Sequence, residues 1–281
     1  MCVRQSESRR IDSVDCPKQL IIHCDDLGMA HSINLAAFAA FEETAITSAS
    51  VMVPCPWFAE VCDYACRHPS FDIGIHITLT SEWHGYRWGP ISARDRVRSL
   101  IDHDGYFHNN VAAFLQSSIP AEVEIEMRAQ IELALSRGLR LSHADCHMFA
   151  VYKDAHLTEL FVKLASEYGL RYLLPPMYGL SSGRECQGQA LSGLFQLNTP
   201  LEENEVLLWY LSVLSDLPEG LSQLIVHLGI YNDELMAIAA EHIPWGARWR
   251  QLDLDVISSR HFLEARKAQG IALADWTSVM Y

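Results

Sequence analysis

Short apolar runs alternate with stretches of helical period along nearly the whole chain. Residues 19–24 (QLIIHC) read as a buried strand that runs into a turn at Asp25-Asp26-Leu27-Gly28. From 31 to 43, Ile33, Ala37, Ala40 and Phe41 share one helical face. Residues 49–53 predict a second strand, 58–66 a helix, and 71–79 (FDIGIHITL) a third strand rich in β-branched types. A helix over 121–137 repeats Val123, Met127, Ile131 and Leu135 at intervals of four, and 141–145 is short and strand-like. The clearest helical stripe is Leu157, Leu160, Phe161, Leu164, Ala165 and Tyr168, closed by Gly169 before a strand at 172–174. A helix over 202–214, a buried strand at 223–227 (QLIVH), a helix over 255–269 and a last strand at 271–274 complete the series. Two stretches break the pattern, 80–120 and 175–200, and loops of that length are expected to wall a binding site.

The alternation shows no composition break, which predicts one α/β domain over 19–281 behind a polar, flexible segment 1–18. The chain has 281 residues, 49% of them apolar, which suits a folded protein. Its 21 Lys+Arg against 35 Asp+Glu give a net charge of −14, which argues against nucleic-acid or anionic-membrane partners. No apolar run is long enough to span a bilayer, and 1–18 lacks the apolar stretch of a secretory signal. Eight cysteines include no CxxC pair, so reduced, mostly buried thiols and a cytoplasmic location are expected.

Four strand ends carry residues able to do chemistry. They are Asp25-Asp26, His76, the set His143, Asp145 and His147, and His227. Singly, each has an ordinary structural reading: an Asp pair caps or turns, and a lone strand His is often a satisfied core residue. On an extended segment, however, His143, Asp145 and His147 point the same way, and three ionisable groups on one face are costly to bury without a metal or water. In parallel β/α folds the C-terminal strand ends gather on one face, so one site explains all four segments. A carboxylate and two imidazoles suit a divalent cation, with another Asp and His left to move protons.

The segments Cys24-Asp25-Asp26-Leu27-Gly28, Gly74-Ile75-His76-Ile77-Thr78-Leu79, His143-Ala144-Asp145-Cys146-His147 and His227-Leu228-Gly229 resemble, in order, the motifs of the YdjC/ChbG family of metal-dependent carbohydrate deacetylases. The resemblance covers about 19–276. It implies a single (β/α) barrel-like domain, irregular or short of eight strands, related to the polysaccharide deacetylases. It further implies Asp26, His76 and His147 as ligands of one divalent ion (Zn²⁺ or Mg²⁺), Asp25 as general base and His227 as acid. Asp145 and His143 would support these groups, and Trp83, Tyr86 and Trp88 would stack on the sugar or pack within their own loop. The expected reaction removes the acetyl group from an N-acetylated sugar, so the expected partner is a small carbohydrate. A homo-oligomer is compatible with the sequence, which does not specify one.

The chain departs from the family pattern at His23-Cys24 in place of Asn-Ala, at Cys146 in place of Ser, at Phe149 in place of a frequent His, and at Leu228 in place of Pro. No proposed ligand is lost, while the surroundings of the ligands change. Two rival readings stand beside the deacetylase: a different metal-dependent amidase or a non-haem iron oxygenase, and a carbohydrate-binding protein that keeps the pocket without catalysis. The β/α alternation argues against the oxygenase, and the intact set Asp25, Asp26, His76, His147 and His227 argues against the binding protein.

Overall fold

The apolar runs become eight parallel strands in one curled sheet. In this computed structural model, which describes residues 17–175, 191–239, 242 and 244–278, they are β1 (Lys18–Leu27), β2 (Ser48–Val51), β3 (Ile73–Ile77), β4 (His143–Cys146), β5 (Arg171–Tyr172), β6 (Gly193–Gln196), β7 (Gly220–Val226) and β8 (Ala272–Leu273). Their order is β5-β4-β3-β2-β1-β7-β6, with β8 against the start of β1. Among the described residues β5 and β6 are not paired, and the fold is an irregular, half-closed (β/α) barrel. The helices are α1 (His31–Glu42), α2 (Phe58–Arg67), α3 (Val111–Ser117), α4 (Pro120–Ser136), α5 (Ala155–Glu167), α6 (Glu203–Ser215), α7 (Asp233–Ile238), α8 (Ala247–Ile257) and α9 (Arg260–Ala268).

Strand alternation sorts the core into two sides. On β1, Leu20, Ile22 and Cys24 join the large cluster between sheet and helices, while Ile21 joins Leu221, Ile225, Leu173 and Trp276 inside the curl. Period two then places His23 and Asp25 on the inner face with Ile21. By the same rule β3 turns His76 inward and β4 turns His143 and Asp145 inward. Register completes the arrangement, because His76 lies opposite Asp145 and His23 opposite Ser48. The inner face is thus apolar at its base and grows polar towards the C-terminal strand ends.

The sequence pattern misses some elements. The predicted helix over 255–269 is two helices, because Ser259 is extended (φ −69, ψ 144) and its side chain caps α9 by accepting from Phe262 N. β6 falls in the expected irregular stretch, where its four half-buried residues show no apolar alternation. Short helices are missed as well. Asn110 caps α3 by accepting from Ala113 N, and Asn232 caps α7 by accepting from Leu235 N. The six residues of α7 are too few to show a period. Of the segment expected to be flexible (1–18), residues 1–16 lie outside the described residues, as do residues 176–190 of the second long stretch.

Candidate active site

Two adjacent Asp side chains enter one cavity because the backbone turns between them. Asp25 is on the inner face by alternation; Asp26, next in line, would face the helices if β1 stayed regular. Instead Asp26 takes a left-handed conformation (φ 70), and the β1–β2 register shifts between Cys24 and Leu27. The residue type that offers freedom for such a turn is Gly28. That glycine does have φ 87, and a Cβ on it would meet Met52 O at 3.1 Å, but the decisive reversal is at Asp26 itself.

Around this turn the structure brings together Asp26, His76 and His147. One ligand atom from each lies within 4.8 Å of the others, and all three residues are buried. Asp26 Oδ1 is 3.5 Å from His76 Nε2 and 3.2 Å from His147 Nδ1, yet it makes no hydrogen bond. The far side of each group is held by a partner. Asp145 Oδ1 is 2.7 Å from His76 Nδ1, Glu82 Oε1 is 2.9 Å from His147 Nε2, and Arg250 Nη2 donates to Asp26 Oδ2 at 2.6 Å. Imidazoles that ligate metals are typically held this way, with the second nitrogen on a carboxylate, so the residues present fit a divalent cation. Asp145 therefore supports His76 across the sheet rather than its own neighbour His147.

Asp25 lies beside this set, among three imidazoles. Its Oδ1 is 3.2 Å from His23 Nε2, and its Oδ2 is 3.9 Å from both His76 Nε2 and His227 Nε2. His227 follows β7, with its backbone N–H donating to Asp253 Oδ2 at 3.1 Å. Asp25, Asp26, His76, His147 and His227 line one cavity of about 520 Å³. The two long loops contribute Glu82 and Trp83 on one side and Leu194, Gln196 and Asn198 on another.

Charge in the site is set by burial against pairing. Burial raises the Asp26 carboxyl, but the Arg250 guanidinium together with His147 and His76 outweighs it and holds the group well below the usual carboxylate range. Burial opposes charge on His147, while Glu82 and Asp26 hold its pKa up at about 9. His76 is likewise raised against burial by Asp145 and Asp25. His227 behaves oppositely: burial wins over the nearby Asp26 and Asp25 and lowers it to about 4.

Other sequence candidates fall elsewhere. Trp83 lines the cavity, with its ring stacked 5.4 Å from His242 and under Arg250. Trp88 does not line it: Nε1 donates to Thr80 O at 2.8 Å, and the ring lies behind His147, at 6.3 Å. Tyr86 is turned away, its hydroxyl donating to Met29 O. His143 stays below the site, stacked 5.1 Å from Trp276 and lying across Gly74, where an added Cβ would stand 2.4 Å from the ring. Glu82, Arg250 and Asp253 do not stand out in the sequence, and none carries a local signal.

A half-closed parallel (β/α) barrel gathers carboxylates and imidazoles at its strand ends into a site able to hold a metal ion. The chain belongs to the YdjC-like protein family, whose model matches residues 19–268. It is 24% identical over 263 residues to the carbohydrate deacetylase of Thermoanaerobacter pseudethanolicus, covering 92% of this chain and 98% of that one. To the carbohydrate deacetylase of Thermus thermophilus it is 32% identical over 229 residues, covering 78% and 80%. A crystal structure from Enterococcus faecalis V583, named for cellobiose-phosphate cleavage, superposes with a TM-score of 0.79 at 25% identity, covering 94% of this chain and 100% of that one.

Proposed function

We propose that this protein is a metal-dependent carbohydrate deacetylase, which hydrolyses the acetamide of an N-acetylated sugar to acetate and a free amine. The observation that carries the reading is the convergence of Asp26 Oδ1, His76 Nε2 and His147 Nδ1 beside Asp25 in one cavity, in a chain whose relatives are named carbohydrate deacetylases. Two imidazoles and a carboxylate suit Zn²⁺ better than Mg²⁺, which prefers oxygen ligands. Bound there, the ion would supply a Lewis acid for the acetyl carbonyl and the attacking water.

The chain's own groups then handle the protons. Asp25 takes the proton from the water as its oxygen forms the new C–O bond. An amine leaves poorly without a proton, so the C–N bond breaks as His227 protonates the nitrogen. With its pKa lowered to about 4, His227 starts neutral, and the proton must reach it first. Asp25 Oδ2 lies 3.9 Å from His227 Nε2, a gap that one bridging water would close to pass it on. Trp83, buried between His242 and Arg250, shapes the cavity wall against which the sugar would lie, and the domain over 19–281 works as one unit.

Acetate release from a panel of N-acetyl sugars, with and without a chelator, tests the reading. Turnover that stops with chelator and returns with added Zn²⁺ supports it. Release that is indifferent to chelator, or absent from every sugar, would remove it.

A further inference from the structure

His23 is one of the places where the chain departs from the family pattern, and the structure gives that position unusual connections. Its side chain is fully buried on the inner face of β1, one layer below Asp25. Nδ1 lies 3.0 Å from Ser48 Oγ, and Nε2 lies 3.1 Å from Ser50 Oγ. The same Nε2 is 3.0 Å from Asp145 Oδ2 and 3.2 Å from Asp25 Oδ1. Ser50 Oγ in turn donates to Asp145 Oδ2 at 3.0 Å and sits 3.1 Å from His76 Nδ1. One ring therefore touches both the candidate base and the carboxylate that holds a candidate ligand.

We propose that His23 is a positioning residue, whose ring, clamped by Ser48 and Ser50, ties Asp25 to Asp145 and so fixes the base carboxylate relative to His76. The inference rests on the deacetylase reading for its catalytic meaning. Two observations support it. Asp25 Oδ1 is buried and makes no hydrogen bond, so the contact with His23 is what faces that oxygen among the described residues. The groups facing the His23 ring are Asp25 from β1, Asp145 and His143 from β4, and the two serines from β2, with His143 edge-on at 5.0 Å. Burial opposes a charged ring here, but the pair Asp145 and Asp25 outweighs it and holds the pKa up at about 9. His143 is driven the other way by burial and by the charge on His23, so it stays neutral and adds no competing cation.

The one Nε2 faces Asp145 Oδ2 at 3.0 Å and Asp25 Oδ1 at 3.2 Å, so a charged ring attracts both carboxylates at once, which a neutral amide of shorter reach cannot do. Loss of such outer contacts typically weakens catalysis by about 10–100-fold through misplacement of the reacting group.

The test uses the full chain and two independent readouts. His23→Asn and His23→Gln are compared with wild type for kcat, KM and bound Zn²⁺. The expected result is a fall in kcat of about 10–100-fold with KM and metal content within about twofold, and a smaller fall for Gln, whose longer amide reaches further. The second readout needs no activity: ¹⁵N shifts of the His23 ring in the metal-free protein at pH 8. Both ring nitrogens should carry protons, and Asp25→Asn should return the ring to a neutral form at that pH or shift its titration down. Wild-type kcat in folded, metal-loaded His23→Asn overturns the positioning role and leaves the deacetylase reading standing. A neutral His23 at pH 8 in the wild type overturns the link to Asp25 and Asp145 even if the variants fail to fold. Absence of acetate release by wild type overturns the deacetylase reading, and with it the catalytic meaning of the contact.

Discussion

Arg250 and Asp26, 224 residues apart, meet in a 2.6 Å hydrogen bond from Nη2 to Oδ2, with both side chains almost fully buried. The guanidinium takes one carboxylate oxygen and leaves Oδ1 alone to face His76 and His147. Asp26 can therefore serve a metal through one oxygen, while its neighbour Asp25 takes the part of general base in the proposed mechanism. Asp26→Asn should lose most bound metal, because an amide ligates poorly. Asp25→Asn should keep it while kcat falls by about 10²–10⁴, the usual share of a general base. Elemental analysis beside turnover separates the two, and equal metal loss in both variants would make Asp25 a ligand.

The same pairing makes Arg250 a stability residue. Its removal leaves a buried, uncompensated carboxylate, which costs about 3–5 kcal/mol in comparable sites. Arg250→Met should unfold at markedly lower urea than wild type when metal-free. Saturating Zn²⁺ should recover part of the loss, because an ion that binds only the folded chain stabilises it. An unchanged urea midpoint would show that Asp26 is satisfied without Arg250.

Glu82 holds His147 Nε2 from a loop, and so turns Nδ1 towards Asp26. Glu82→Gln should weaken Zn²⁺ binding by about 10–100-fold with little effect on folding, because the ring loses its fixed orientation. Competition titration with a chromogenic chelator measures it. Unaltered affinity would mean that His147 is oriented by its turn alone.

Asp253 predicts a pH effect with a definite sign. Burial raises its pKa from 3.8 to about 7, offset only in part by the His227 N–H and its other partners. Between those values the folded chain binds a proton that the unfolded chain has lost. The stability this contributes is present at low pH and is lost as pH rises from about 4 through 7. Asp253→Asn does not titrate and can still accept from His227, so its Tm relative to wild type should improve between about pH 5 and pH 8. A Tm difference that is flat with pH would assign Asp253 an ordinary pKa.

Most strands, β6 excepted, and the inner-face residues of β1 and β4 are legible because both follow from short-range rules. An apolar run such as QLIIHC marks β1, and period two then carries Asp25 inward, whereas the pairing of His76 with Asp145 comes from the β3–β4 register, which no local pattern encodes. The left-handed pair Met148 and Phe149, directly after His147, carried no signal, since neither residue type favours φ of 56 or 52. Glu82 and Arg250 were illegible for a different reason. Each sits in a loop or helix far along the chain, and only the closed fold makes it a neighbour of His147 or Asp26. Trp88 takes the second of its two expected roles, packing within its own loop, with the ring buried and the indole N–H on Thr80 O.

The left-handed backbone at Asp26 has a mechanical corollary. The turn is pinned from outside: Asn34 Oδ1 accepts from Gly28 N at 2.7 Å, Tyr86 donates to Met29 O at 2.6 Å, and Trp57 N donates to Gly28 O at 2.9 Å. Relaxing any of these pins would let Asp26 swing towards ordinary strand geometry, and Asp25 is joined to it by a single peptide plane. The oxygens proposed to face the metal and to accept the proton would then move together, like two teeth on one gear, which couples the proposed site to the Asn34 contact.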